Sequence, residues 1–150
     1  MNNKIPDTKA VAVRSTARSL PIALLRAREK VMAPIRAMLA DVGVTEQQWR
    51  VLRVLAERGA IDPTEIALHS CLLMPSLTRI LKVLEAKAYV TRSSHATDGR
   101  RAVIKITAEG RALIERNIPQ SNEIFAKLEA QYGKERIETL LDLLNDLTGK

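Results

Sequence analysis

A chain of 150 residues is long enough for one folding unit with a real core and too short for a catalytic domain beside a binding domain. Aromatic residues make up only 3% against 46% hydrophobic overall, so Leu, Ile, Val and Ala must build that core, which favours helices. No apolar run nears the roughly 20 residues a bilayer crossing requires, and the net charge of +7 turns attention to a polyanionic partner.

Residues 1 to 18 mix Asn, Lys, Thr, Ser and Arg without helical periodicity and read as a flexible basic arm. Ser19 then caps a predicted helix in which Leu20, Leu24, Ala27, Val31, Ile35, Met38, Leu39 and Val42 recur at three- and four-residue steps as far as Gly43. Pro34 removes one backbone donor inside it and predicts a kink or a break. Thr45 with Gln48 forms a capping box for a second helix running to about Arg58, where Gly59 closes it. Asp62, Pro63 and Glu65 repeat the device for a short third helix that ends near Ser70.

Pro75 opens a fourth helix, whose Leu77, Ile80, Leu81 and Leu84 make one apolar stripe. Tyr89 to Ser93 and Ala102 to Thr107 are predicted strands, and the polar stretch SHATDGRR between them makes a β-hairpin with a basic tip. Thr107 caps a fifth helix running to about Gln131, with an interruption expected at Pro119. Gly133 starts a sixth, whose stripe of Ile137, Leu140, Leu141, Leu144 and Leu147 is apolar enough to require a partner surface. Two short helices, a turn, a helix and a hairpin between long helices follow a winged helix-turn-helix plan.

The positive charge is uneven along the chain. Residues 1 to 30 and residues 69 to 107 each carry seven basic and two acidic side chains, while the intervening and final stretches are slightly acidic. A basic block points to nucleic acid or to a solubilising face, and charge alone does not choose between them. Geometry does. At about 100° per residue, an inward stripe of Leu77, Ile80, Leu81 and Leu84 sends Pro75, Arg79, Lys82 and Ala86 to the far side, flanked by Ser76, Thr78 and Val83. This face is compact and cationic, as a helix approaching base edges in the major groove must be. On the hairpin, one of Arg100 and Arg101 suits the minor groove and its neighbour a phosphate. Asp98 either pairs with Arg100 or caps the turn, and in both cases orients the tip; the plainer alternative is that it only stabilises the wing.

The segment DGRRAVIKITAEG, Asp98 to Gly110, resembles the wing signature of the MarR family, and SLTRILKVLEAKAYVTR, Ser76 to Arg92, resembles that family's recognition helix and first wing strand. The resemblance covers residues 20 to 147 in order and spacing, with one departure at Ala88, where many members carry glycine. It implies a mainly α fold with a small α+β wing, in which residues 19–150 form one domain after the arm of residues 1–18. Residues 19–43 and 108–150 would be dimerisation helices and residues 44–107 the DNA-binding lobe. It implies a cytoplasmic homodimer on a palindromic operator, usually a repressor, released by a small aromatic carboxylate. The contacts would come from Pro75, Ser76, Thr78, Arg79, Lys82, Asp98, Arg100 and Arg101. ALLRARE, TEQQWRVLRVLAE and CLLMPSLT resemble most closely the members that govern aromatic-acid catabolism.

For such an effector, Arg28 offers a guanidinium, and Trp49 with Arg50 an aromatic wall and a second cation. Core packing is the ordinary alternative for Trp49 and an ion pair with Glu29 for Arg28. Cys71 is expected to be a small buried hydrophobe rather than a sensor, and His69 and Cys71 lack the further ligands of a metal site. No nucleophile motif, Gly-rich phosphate loop or HExxH is present, so neither an enzyme nor a cofactor is expected. The remaining rival is a winged-helix module that binds an acidic protein without reading DNA.

Overall fold

Three of the described α-helices, α2, α3 and α5, start where the cap chemistry places them. In the computed structural model, which describes residues 15–149, a short 3-10 turn at Thr16–Arg18 leads into α1 (Leu20–Asp41), α2 (Glu46–Arg58), α3 (Pro63–Ser70) and α4 (Met74–Ala86). Strands β1 (Val90–Ser94) and β2 (Ala102–Ile106) come next, then α5 (Ala108–Tyr132) and α6 (Lys134–Thr148). Thr45 Oγ1 accepts from the Gln48 N–H at 3.2 Å while Gln48 Oε1 accepts from the Thr45 N–H at 3.1 Å, completing the capping box of α2. Asp62 caps α3 through the Glu65 N–H at 3.0 Å, and Thr107 caps α5 through the Gly110 N–H at 3.1 Å. Each such cap stabilises its helix by about 1 kcal/mol.

The chain divides into two compact units that meet within α1, between Ala33 and Pro34. The described part of the first carries the 3-10 turn and the start of α1, with Leu20, Leu24 and Leu25 exposed. Of the basic arm expected over residues 1–18, residues 1–14 lie outside the described residues.

In the second unit, the inner faces of α2, α3 and α4 close on β2 and on the first turns of α5. Leu52, Leu55, Ile66, Leu77, Leu84 and Ile104 are fully buried there. The two strands pair antiparallel, with Val90 opposite Ile106 and Ser94 opposite Ala102. Ile61 exchanges two backbone hydrogen bonds with Ile104, at 3.1 and 2.9 Å, and so adds a third short rung at the root of the hairpin. α6 touches α5 and buries none of its residues; Leu140, Leu141, Leu143 and Leu147 stand exposed.

Several expectations need correction. Neither proline interrupts its helix: α1 runs through Pro34 and α5 through Pro119. Each proline leaves one carbonyl four residues earlier without a donor, and those residues, Lys30 and Glu115, are exposed to water that can satisfy it. α4 begins at Met74, one residue ahead of Pro75, and β1 is shifted by one residue to Val90–Ser94. Cys71 is exposed rather than buried: it follows Ser70, the last residue of α3, as the cap of that helix in the left-handed conformation, φ 52°.

Candidate nucleic-acid interface

α4 has the two faces its sequence requires. Leu77, Ile80, Leu81 and Leu84 are all buried, each contributing about 1.5–3 kcal/mol through removal from water. Pro75, Thr78, Arg79 and Lys82 are exposed on the other side and Ser76 is half-buried beside them. Thr78 Oγ1 donates to the Met74 carbonyl at 3.0 Å, which fixes its rotamer and leaves its lone pairs outward. The side chains of Arg79 and Lys82 have no partner among the described residues. No side chain caps α4, where Leu73 stands at the N-cap, so the positive end of that helix is also open.

The wing is fixed to this helix from several directions. Arg92 Nε on β1 donates to Glu85 Oε1 on α4 at 3.1 Å. Lys87 Nζ, at the end of α4, donates to the Gly43 carbonyl at 2.7 Å. Ala88 then adopts φ 58°, and its carbonyl accepts from Thr107 Oγ1 at 2.7 Å. At the tip, the His95 N–H donates to the Arg101 carbonyl at 2.8 Å, and Asp98 caps the turn by accepting the Arg100 N–H at 3.1 Å. Of the two roles weighed for Asp98, the geometry is that of the turn cap. The Arg100 guanidinium has no partner among the described residues. The Arg101 guanidinium donates to Asp62 Oδ2 at 2.6 Å.

That last contact, with those of Glu85 and Lys87, escaped the sequence reading, which marked Ala88 only as a departure from the family's glycine. Asp62 was legible there only as a cap. Its carboxyl is held below the ordinary value of 3.8, first by the Glu65 N–H and then by the Arg101 guanidinium. A lowered folded value makes the stabilisation complete above about pH 4 and progressively lost as the pH falls through the folded value. The thermal midpoint should therefore drop in that acid range, and Asp62→Asn, which keeps a cap oxygen but cannot gain a proton, should flatten part of the drop. An acid limb of identical slope in the variant would contradict this.

The effector candidates are on α1 and α2. Arg28, in the first unit, has its Nη1 3.5 Å from Glu29 Oε1, the ion pair weighed as its alternative role. In the second unit, Trp49 is 8% exposed and belongs to the core side of α2, while Arg50 lies 3.8 Å from Glu46, which also meets Arg36 at 3.3 Å. An open hollow of about 650 Å³ is lined by Ser15, Ala17, Arg18, Ser19, Leu20 and Ala23; none of the three candidates lines it and it holds no aromatic ring. Among the described residues no three His, Cys, Asp or Glu side chains come together as metal ligands, and His69 faces Glu65 at 3.7 Å.

Comparison with known proteins decides what this arrangement serves. The MarR family model matches residues 44–102, which span α2 to the start of β2. The homoprotocatechuate degradative operon repressor of Escherichia coli is 41% identical over 128 residues, covering 85% of this chain and 86% of that one. The chain belongs to the MarR family. This MarR-family member is a DNA-binding transcription regulator and not an enzyme, and the rival protein-binding module falls away. A crystal structure of NadR in complex with 4-hydroxyphenylacetate superposes with a TM-score of 0.79 at 38% identity, over 87% of this chain and 96% of that one. The transcriptional repressor CouR, bound to a 23-mer DNA duplex, superposes with a TM-score of 0.77 at 25% identity, over 91% and 99% of the respective chains. No single helix among the described residues of the MarR-family chain is long and apolar enough to cross a membrane.

Proposed function

We propose that this regulator works in the cytoplasm as a homodimeric repressor. Each α4 enters the major groove of one half of a palindromic operator with Pro75, Ser76, Thr78, Arg79 and Lys82, and each wing brings Arg100 to the adjacent minor groove. The observation that carries this is the pairing of an exposed cationic helix face with a cationic hairpin tip whose Arg79, Lys82 and Arg100 side chains are unpartnered. Groups without internal partners are free to replace counterions on phosphate. Two-fold symmetry is supported by α6, whose apolar stripe leaves Leu141 47% exposed in a single chain; a second copy would cover it and set two recognition helices at one spacing.

Arg100→Ala should weaken binding to every duplex by a similar factor and reduce the log–log salt slope by about 0.9 for each cation withdrawn from the field of the phosphates, or about 1.8 per dimer. Arg79→Ala and Lys82→Ala should in addition change which bases are preferred, by about 1–3 kcal/mol at the affected position. Fluorescence anisotropy on duplexes selected from a random pool measures both. Equal loss in all three variants with no change of preferred sequence would refute the assignment.

Release by a small aromatic carboxylate is proposed from the relatives: the E. coli repressor is named for homoprotocatechuate degradation, and NadR was solved with 4-hydroxyphenylacetate. Two places on this chain carry the matching chemistry, Arg28 on α1 and Trp49 with Arg50 on α2, and each is tested by itself. Trp49 is the single tryptophan, so its emission under titration with hydroxyphenylacetates reports binding near α2 directly.

A further inference from the structure

Arg100 and Arg101 are adjacent in sequence and differ in kind. The first leaves its guanidinium to solvent and has its N–H held by Asp98 at 3.1 Å. The second reaches back to α3, where its Nη2 lies 2.6 Å from Asp62 Oδ2. Asp62 uses its other oxygen, Oδ1, to cap α3 through the Glu65 N–H at 3.0 Å. One carboxylate thus ties together the first turn of a helix and the last residue of the wing loop. One residue before it, Ile61 makes its two backbone hydrogen bonds to Ile104, so the side-chain tie and the main-chain tie fasten the same root.

We propose that Arg101 is a positioning residue, not a DNA contact: its ion pair with Asp62 fixes the wing against the N-terminus of α3 and thereby sets the distance from Arg100 to α4. This rests on the DNA-binding reading above. A guanidinium committed to a carboxylate brings no net charge to a phosphate. Withdrawing it toward DNA would leave Asp62 bare in front of a polyanion. Exposed ion pairs are usually weak because two long side chains must be ordered, but here the carboxylate is short and already ordered by the helix it caps.

Two single substitutions separate the competing roles, Asp62→Asn by the sign of its effect and Arg101→Ala by whether its effect adds to that of Arg100→Ala. Asp62→Asn keeps an N-cap oxygen and removes the charge; Arg101→Ala removes the other half. For a positioning role, each variant binds a duplex selected from a random pool roughly fivefold more weakly. The double variant is then no weaker than either single one, and Arg101→Ala costs nothing further when Arg100 is already alanine. Arg101→Lys recovers part of the loss. For a direct phosphate contact, Asp62→Asn leaves binding unchanged or tightens it, while Arg100→Ala and Arg101→Ala add, each flattening the salt slope by about 0.9 per contact; that pattern overturns the proposal.

Hydrogen exchange on the free protein supplies a readout that needs no DNA. The amides of His95 and Arg101 should exchange several-fold faster in Asp62→Asn and in Arg101→Ala than in the parent. Unchanged exchange in both variants overturns the tie even if DNA is bound. A parent protein that prefers no selected duplex overturns the DNA-binding reading instead, and the exchange result still decides the tie.

Discussion

Gly110→Ala should destabilise the protein by roughly 3 kcal/mol, the largest effect expected of a single methyl group in this chain. A Cβ at Gly110 would overlap the Tyr89 carbonyl oxygen and stand 2.9 Å from Ile106 Cγ1 and 3.1 Å from the Tyr89 carbonyl carbon. The obstacle is backbone, which cannot rotate aside. Tyr89 is also where α4 passes into the wing, and its carbonyl accepts the Thr107 N–H at 3.0 Å, so making room displaces the hairpin as well. The gain from alanine's better helix propensity, about 1 kcal/mol, is too small to compensate. For a chain of this size the loss corresponds to a fall of roughly 6–12 °C in melting temperature. Gly99→Ala is the control, since a Cβ there meets nothing within 4 Å. A Gly110 variant that melts within a degree or two of the parent would show that the helix–wing junction yields more easily than its packing implies.

Leu141→Glu should convert the dimer to a monomer and reduce operator affinity by two orders of magnitude or more. Leu141 is exposed in the single chain, so the fold of each subunit does not depend on it. Burying two symmetry-related leucines contributes about 1.5–3 kcal/mol apiece, and two carboxylates at the same place would add a desolvation cost. The expected result is a subunit mass by light scattering at micromolar concentration, with the helical circular dichroism retained. Operator binding then loses the joint engagement of two half-sites. A variant that keeps both the dimer mass and the parental affinity would remove α6 from the interface.

The sequence was most informative where chemistry is local. Thr45 with Gln48, Asp62 with Glu65, and Thr107 three residues before Gly110 mark helix starts because a short side chain and an N–H three residues on must meet, and all three contacts are present. The stripe of Leu77, Ile80, Leu81 and Leu84 fixed the orientation of α4, and with it the outward face bearing Arg79 and Lys82. Proline misled as a sign of helix breaks, because a lost hydrogen bond is a local cost set against the cooperativity of helices 22 and 25 residues long. The partner of Arg101 was illegible for a different reason: Asp62 is 39 residues away, and no periodicity joins a helix cap to a hairpin loop. The exposed Cys71 was likewise illegible, standing on a left-handed backbone that cysteine rarely adopts.

Ala88 gives the joint between α4 and β1 a property that a glycine would not. A side chain at φ 58° costs on the order of 1 kcal/mol, and the conformation persists because the peptides on both sides are held: the Ala88 N–H donates to the Glu85 carbonyl, and beyond it the Ala88 carbonyl accepts from Thr107 Oγ1 while the Tyr89 N–H donates to the Leu84 carbonyl. Glycine would let the hairpin swing as on a loose pivot; the methyl group turns the same joint into a bracket. An effector of the kind proposed above would therefore gain little by flapping a wing. To lift the chain from DNA it would have to move reading helix and hairpin together, as one stiff fork.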